Sequence, residues 1–213
     1  MNCPACNNES YAALIKHGTV YNKCCFCHTI FSDPLPNDNM VGGGFEEERN
    51  INQNSIREER MLSILQQLGQ QHTAPILDFG CGHGMLMKYL IEKGFDCDGY
   101  DKFNPNYAEI DYSKKYQVVT MVEVIEHLSH PFNEIDTISG LLATHGILYI
   151  ETSFIDVAKQ ENIPLEEFFY IDPRVGHSTI FSHMGLDILM LTKGFKPVIH
   201  INRNARLFQK TDE

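Results

Sequence analysis

Ile76-Leu77-Asp78-Phe79-Gly80-Cys81-Gly82-His83-Gly84 is the stretch on which the fold turns. It opens as a short apolar strand, reaches an acid and ends in glycines at alternate positions. Beyond it Met85, Leu86, Tyr89, Leu90 and Ile91 recur at helical spacing. A strand, a glycine turn and a helix aim backbone N–H groups at a nucleotide-like ligand, and glycine lets the chain turn sharply and come close. The same pattern also serves a plain strand-to-helix turn, so the loop alone leaves both readings open.

Spacing narrows the choice. The dinucleotide fingerprint would need glycine where Met85 stands, and the phosphate loop G-x-x-x-x-G-K-[ST] is absent. The run D-x-G-x-G-x-G from Asp78 to Gly84 resembles the S-adenosylmethionine loop of class I methyltransferases. In that family the loop wraps the methionine half of the cofactor, which implies cofactor contacts for Asp78, Gly80, Cys81, Gly82 and Gly84.

Downstream, Gly94 stops the helix and residues 95–100 read as a second strand ending at Asp101. An acid roughly twenty residues after the glycine loop sits where it can accept two hydrogen bonds from a ribose diol. In isolation Asp101 is also a turn-forming aspartate before Asn104-Pro105. Residues 102–116 are few for a helix and a full third strand, so an abbreviated strand is expected around 107–110, with Asp111 a candidate for the adenine contact.

Residues 117–122 form a buried strand that runs into Glu123-Val124-Ile125-Glu126-His127-Leu128 and His130-Pro131. This block is similar to methyltransferases that include ubiquinone-biosynthesis O-methyltransferases and sugar-modifying relatives. The resemblance implies cofactor contacts from the backbone at Val122 and Glu123. Gln117 departs from it, since relatives often carry aspartate there. A helix at 132–142 and a fifth strand at 147–150 follow, with Glu151-Thr152-Ser153 at the strand's carboxyl end, where ligands collect in open α/β sheets. Residues 154–181 show no period and read as a lid or binding loop at the ligand edge. A helix at 183–192 and a hairpin of 195–201 with 205–209 close the chain. His177, Phe181-Ser182, Leu186 and Gly194-Phe195 again resemble these methyltransferases, whose sheets end in an antiparallel hairpin.

Upstream, two C-x-x-C pairs, Cys3/Cys6 and Cys24/Cys27, offer the four thiolates of a tetrahedral zinc site. Four thiolates leave no open position, so the zinc is expected to be structural, with Cys25 a bystander and His28 a weaker fourth ligand. Residues 11–14 and 19–21 supply a small hairpin between the pairs. This N-terminal part is reminiscent of zinc-containing methyltransferases of bacterial sugar and polysaccharide pathways. The organisation expected is a zinc ribbon at 1–36, a linker and lead-in helix at 37–74 and the methyltransferase domain at 75–213. A proline-rich exit, the glycine triplet 42–44 and an acidic helix start at 46–48 make up the linker, and Met61, Leu62, Ile64, Leu65 and Leu68 the helix stripe. Arg60 there reads as an exposed surface residue first and a contact to the cofactor carboxylate second. The fold class is α/β: a Rossmann-like, seven-stranded methyltransferase sheet with a small N-terminal zinc ribbon.

The 213 residues carry 28 acids against 17 bases, a net charge of −11, which disfavours broad contact with a phosphate backbone. No run is long and apolar enough for a membrane span. With no signal-like start and no disulfide framework among seven cysteines, a cytoplasmic chain is expected.

Methyl transfer needs donor and nucleophile held in line, and a base only where the acceptor must lose a proton. His177 is the first candidate, because imidazole titrates near neutrality and its loop lies at the ligand edge. His127 and Glu126 are alternatives, and all three also read as structural groups. The expected function is S-adenosylmethionine-dependent methylation of a small molecule such as a sugar or polysaccharide precursor. The alternatives are an RNA- or protein-modifying methyltransferase that grips its substrate with the zinc lobe, and a non-catalytic cofactor-binding scaffold.

Overall fold

The computed structural model describes residues 1–33 and 47–212. The proline-rich exit, the glycine triplet and Glu46 therefore lie outside the described residues.

The chain starts as a hairpin of β1 (Ser10–Lys16) and β2 (Thr19–Cys24). His17 and Gly18 join them with φ of 49° and 79°, the pair of positive values that matches the twist of a two-residue hairpin loop. Strand β3 (Ile30–Asp33) adds antiparallel to β2. Helix α1 (Glu47–Gln67) follows, burying Met61, Ile64 and Leu65 as its stripe requires, and Gly69 turns away from its end with φ of 64°.

The remaining elements are β4 (Ile76–Phe79), α2 (Met85–Glu92), β5 (Cys97–Tyr100), β6 (Tyr116–Val122), α3 (Pro131–Leu141), β7 (Leu142–Glu151), α4 (Ile155–Gln160), β8 (Thr179–Ile180), α5 (His183–Thr192), β9 (Phe195–Asn202) and β10 (Ala205–Lys210). The large sheet runs β5-β4-β6-β7-β10-β9. Strands β5, β4, β6 and β7 are parallel, and the β9–β10 hairpin closes the far edge antiparallel, as expected. The chain leaves β4 toward β5 on one side and returns to β6 on the other. That reversal opens a crevice at the carboxyl ends of β4 and β6, where open α/β sheets bind ligands.

This is a Rossmann-like α/β arrangement, with six strands joined by ladder hydrogen bonds among the described residues. The abbreviated strand expected at 107–110 is replaced by turns, because Tyr107 gives its carbonyl to the Asp101 N–H and Asn104 accepts from Tyr107. Asn104-Pro105 and the shortness of the segment favour that outcome over pairing.

Residues 154–181 differ more from expectation. They form no open lid. Helix α4, a single 3-10 turn at Pro173–Val175 and strand β8 bury Phe154, Phe168, Tyr170, Ile171, Ile180 and Phe181. Strand β8 pairs with β3, setting Ile30 opposite Ile180 and Phe31 opposite Thr179. Leu14, Tyr21 and Ile30 of the ribbon share one apolar cluster with Phe168, Tyr170 and Ile180. Polar stitches run beside it: Tyr21 Oη donates to the His177 carbonyl at 2.7 Å and Lys16 Nζ to the Phe168 carbonyl at 2.9 Å. These apolar residues show no period in sequence because each enters the core from a separate turn. Among the described residues, no helix is long and apolar enough to cross a membrane.

Phe168 is wholly buried in the cluster that the ribbon shares with α4 and β8. Phe168→Ala should cost about 3–5 kcal/mol in urea denaturation while leaving a single transition. A separate early transition for the ribbon would contradict the shared core.

Candidate functional site

A cavity of about 370 Å³ opens at the carboxyl ends of β4, β5 and β6. The glycine loop forms its floor. Gly80 has φ of 79°, and a Cβ there would stand 2.4 Å from Val124 Cγ2, so the position admits glycine on two counts. The Gly80 and Cys81 N–H groups donate to the Tyr100 carbonyl, which ties the loop to β5. Gly82 donates its N–H to Asp101 Oδ2 at 2.8 Å. The other Asp101 oxygen accepts from the N–H groups of Phe103 and Asn104 at 2.8 and 3.1 Å. Asp101 therefore shapes the turn as its second reading expects, and it also lines the cavity.

Asp78, Gly80, Cys81, Gly82, Asp101, Val122 and Glu123 all reach the cavity. Gly84 does not reach it. It precedes α2 with φ of 73°, packed under the Tyr107 hydroxyl, so its role is the turn itself. Asp111 is an exposed turn residue whose carboxylate accepts from Ser113, away from the cavity, which removes it as an adenine contact. Asp78 is 4% exposed and accepts from Thr120 Oγ1 at 2.8 Å. Burial pushes its pKa up to about 6, with the Asp101 charge adding and hydrogen bonds from Thr120 and the Met87 N–H opposing.

The second wall is a half-buried ionic network. Arg60 is neither exposed nor at the cavity: its Nη1 bonds Glu151 Oε2 at 2.7 Å. Arg57 Nε meets Glu151 Oε1 at 3.0 Å, and its Nη2 meets Glu123 Oε1 at 2.8 Å. Tyr149 donates to Glu151 at 2.5 Å. The Tyr170 hydroxyl lies 2.9 Å from Glu123 Oε2 and donates a short hydrogen bond to Glu126, which also accepts from Thr152 Oγ1 at 3.0 Å. Glu123 holds φ of 56°, an uncommon value for glutamate, at the carboxyl end of β6.

Glu126, His127 and His177 come together, their ligand atoms all within 4.8 Å of one another. Glu126 is 0% exposed and His177 stands behind the wall; of the three, only His127 lines the cavity. The His127 and His177 rings meet edge-on, centroids 4.8 Å apart. Burial raises the pKa of Glu126 and Glu123 and lowers that of both histidines; Glu126 opposes the shift at His177, and the Gly176 carbonyl opposes it at His127. Sequence reading passed over Arg57 and Tyr170. Arg57 carried a signal, since with Arg60 it continues the apolar stripe of Met61 and Ile64 at helical spacing. Tyr170 carried none.

The four cysteines converge in the ribbon. Sγ separations are 3.6 Å for Cys3–Cys27 and 3.4 Å for both Cys6–Cys24 and Cys6–Cys27. Four thiolates around one zinc ion stand about 3.8 Å apart, so the donors match with a slight outward move. N–H groups of Ala5, Phe26 and Cys27 point at the sulfurs, which suits thiolates. Cys25 is exposed, and His28 stands outside the cluster.

The sequence profile of the family described as "Methyltransferase domain" matches residues 53–200. The chain is similar to the ubiquinone biosynthesis O-methyltransferase of Histophilus somni, 25% identical over 120 aligned residues, covering 44% of this chain and 50% of the relative. The chain thus spans about half the length of the curated relatives it matches. In fold it resembles the 1,6-didemethyltoxoflavin-N1-methyltransferase of Burkholderia thailandensis, solved with S-adenosylhomocysteine: TM-score 0.60, 14% identity, 94% of this chain and 99% of that one. It also resembles an amino pentose methyltransferase of Micromonospora echinaspora, with TM-score 0.55, 12% identity and coverage of 80% and 99%.

Asp78 binds its proton more tightly folded than unfolded, since about 6 lies above the ordinary 3.8. Its contribution to stability is therefore greatest at low pH and falls as pH rises from 4 to 6, by about 3 kcal/mol in all. Urea denaturation across that range should show this fall in wild type and its loss in Asp78→Asn. Equal slopes in both proteins would refute the buried-acid account.

Proposed function

Because the chain belongs to the family of methyltransferase domains, we propose that it transfers a methyl group from S-adenosylmethionine to a hydroxyl of a small polar molecule, a sugar or polysaccharide precursor. The observation that carries this reading is the crevice at the β4/β6 switch point, with Asp101 fastened to the Gly82 N–H on its wall. The cofactor supplies an activated methyl group on a sulfonium leaving group. Gly80, Cys81 and Gly82 leave room for the cofactor's chain, and the Asp101 carboxylate offers oxygens to a vicinal diol. Val122 and Glu123 present backbone at the strand end. Asp78 holds the loop from below through the Met87 N–H and Thr120.

The acceptor side is the wall of Glu123 and His127. As the methyl carbon leaves sulfur and bonds the acceptor oxygen, the acceptor's proton passes to this wall and on to solvent. His127 is the member of the cluster that reaches the cavity. Glu126 and His177 act through it as positioning residues, because neither touches the cavity. Arg57, His130 and Glu134 at the wall suit a polar acceptor, and the small-molecule relatives support that class. Cys3, Cys6, Cys24 and Cys27 hold a structural zinc ion that ties the ribbon together and takes no part in transfer.

Calorimetric titration with S-adenosylhomocysteine should show binding to wild type and at least about tenfold weaker binding to Asp101→Ala, the scale of one charge-assisted contact. Absence of binding by folded wild type would sink the cofactor reading. Purified protein should hold one zinc per chain by elemental analysis. Cys24→Ser should lose it and lower the melting temperature of the whole chain, since Cys24 and Cys27 share a core with Phe181 and Leu186.

A further inference from the structure

We propose that Ser178 is a positioning residue of the acceptor wall and that the N-terminal ribbon acts through it. The ribbon holds Ser178, and Ser178 holds the turn that carries His127 and Leu128. The link itself is independent of the reaction; its part in methyl transfer rests on the proposed function.

The turn needs support from outside. Ile125–His127 is a single 3-10 turn, a helix type with poor hydrogen-bond geometry. Two backbone bonds close it: His127 N–H to the Val124 carbonyl at 3.0 Å, and Leu128 N–H to the Ile125 carbonyl at 3.4 Å. The second is long. Val124, His127 and Leu128 all line the cavity, so the wall is only as well placed as this turn.

Ser178 supplies that support. It is wholly buried, and its N–H donates to the Glu126 carbonyl at 2.8 Å. Its hydroxyl lies 2.9 Å from the same carbonyl and 3.3 Å from the carbonyl of Leu128. Carbonyls at the end of a helix have no partner within it and must find donors elsewhere. One residue thus engages the last carbonyls of the turn with two donor groups.

The ribbon holds Ser178 in turn. Ser32 N–H donates to the Ser178 carbonyl at 2.8 Å, and Tyr21 Oη to the neighbouring His177 carbonyl at 2.7 Å. Ile30 and Phe31 then pair with Ile180 and Thr179. Past β8, Ser182 N–H donates to Thr29 Oγ1 at 3.3 Å and Ser182 Oγ to the Cys27 carbonyl. The segment 177–182 is therefore fastened to the ribbon along its length, while the Ser178 N–H and hydroxyl reach across to the turn. The His177 ring adds a second path, meeting that of His127 edge-on. The cavity floor is anchored without the ribbon: Gly80 and Cys81 donate to the Tyr100 carbonyl, and Gly82 to Asp101. A disturbance entering from the ribbon should reach the wall and spare the floor.

The test is residue-resolved amide hydrogen exchange on the full chain. Tyr21→Phe removes only the hydroxyl that holds the His177 carbonyl and keeps the ring in the core. The His127 and Leu128 amides should then exchange about five- to tenfold faster, the effect of one net hydrogen bond on local opening. Ser178→Ala should do at least as much, and Tyr21→Phe carries the test if Ser178→Ala fails to fold. Gly80, Cys81 and Gly82 should change less than about twofold in both. Lys16→Met is the control: it removes a ribbon hydrogen bond of similar burial, to the Phe168 carbonyl, and should leave His127 and Leu128 unchanged. Unaltered exchange at His127 and Leu128 in folded Tyr21→Phe overturns the proposal. Equal acceleration in Lys16→Met, or at the glycine loop, overturns it too, since both would mean a general loss of stability. S-adenosylhomocysteine binding is measured on the same samples. Binding without the selective exchange defeats the link and leaves the methyltransferase reading standing; selective exchange without binding by wild type does the reverse.

Discussion

Glu151 ends β7 almost fully buried, and its charge governs how the cavity is built. A buried carboxylate must be paired, and removing one partner of such a pair costs about 3–5 kcal/mol. Arg57 and Arg60 of α1 supply the partners, with Tyr149 adding a third donor. This requirement draws the lead-in helix across the carboxyl ends of the strands. Arg57 can then reach Glu123 as well, and one cavity wall is set by the same contact that anchors the helix.

The glycine loop works by a different constraint. Val124 packs so close to Gly80 that a single methyl group would collide with it. Loop and β6 end are thereby pressed together, and the space a side chain would fill goes to the cavity. Asp101 fastens the other side of the loop. Polar pairing on one wall and close backbone packing on the floor leave an open volume between rigid supports.

Much of this was legible in the sequence. The strands at Ile76 and Val118, the helix stripe of α1 and the closing hairpin follow simple periods, and periods survive folding. The glycine loop and Asp101 were legible because backbone conformation and strand-end position are local properties. The partners of Glu126 and Glu151 were not. Tyr170 reaches Glu126 from a segment without periodicity, and Arg60 looked like any surface arginine, because pairing across distant elements leaves no local mark. The segment 154–181 was misread for the same reason: Phe168 and Tyr170 pack on the ribbon and Phe154 and Phe181 on the main core, and only Phe169 stays exposed. Conversely, the cysteine spacing announced a cluster but not that the ribbon shares its core with the large sheet.

The joining of β3 to β8 has a consequence for how the chain is made. Tyr21 and His177 are separated by 156 residues, and Cys27 and Ser182 by 155, yet both pairs meet directly. On a ribosome adding roughly 5–20 residues per second, the first segment waits on the order of ten to thirty seconds for the strand that completes it. Contacts so distant in sequence raise the entropic cost of the folding transition state and slow it. Through that interval the cysteines are out in solvent without their roof of apolar residues. An early-bound metal ion would therefore act as a placeholder during synthesis, keeping the ribbon's turns in register until the other half of its core arrives.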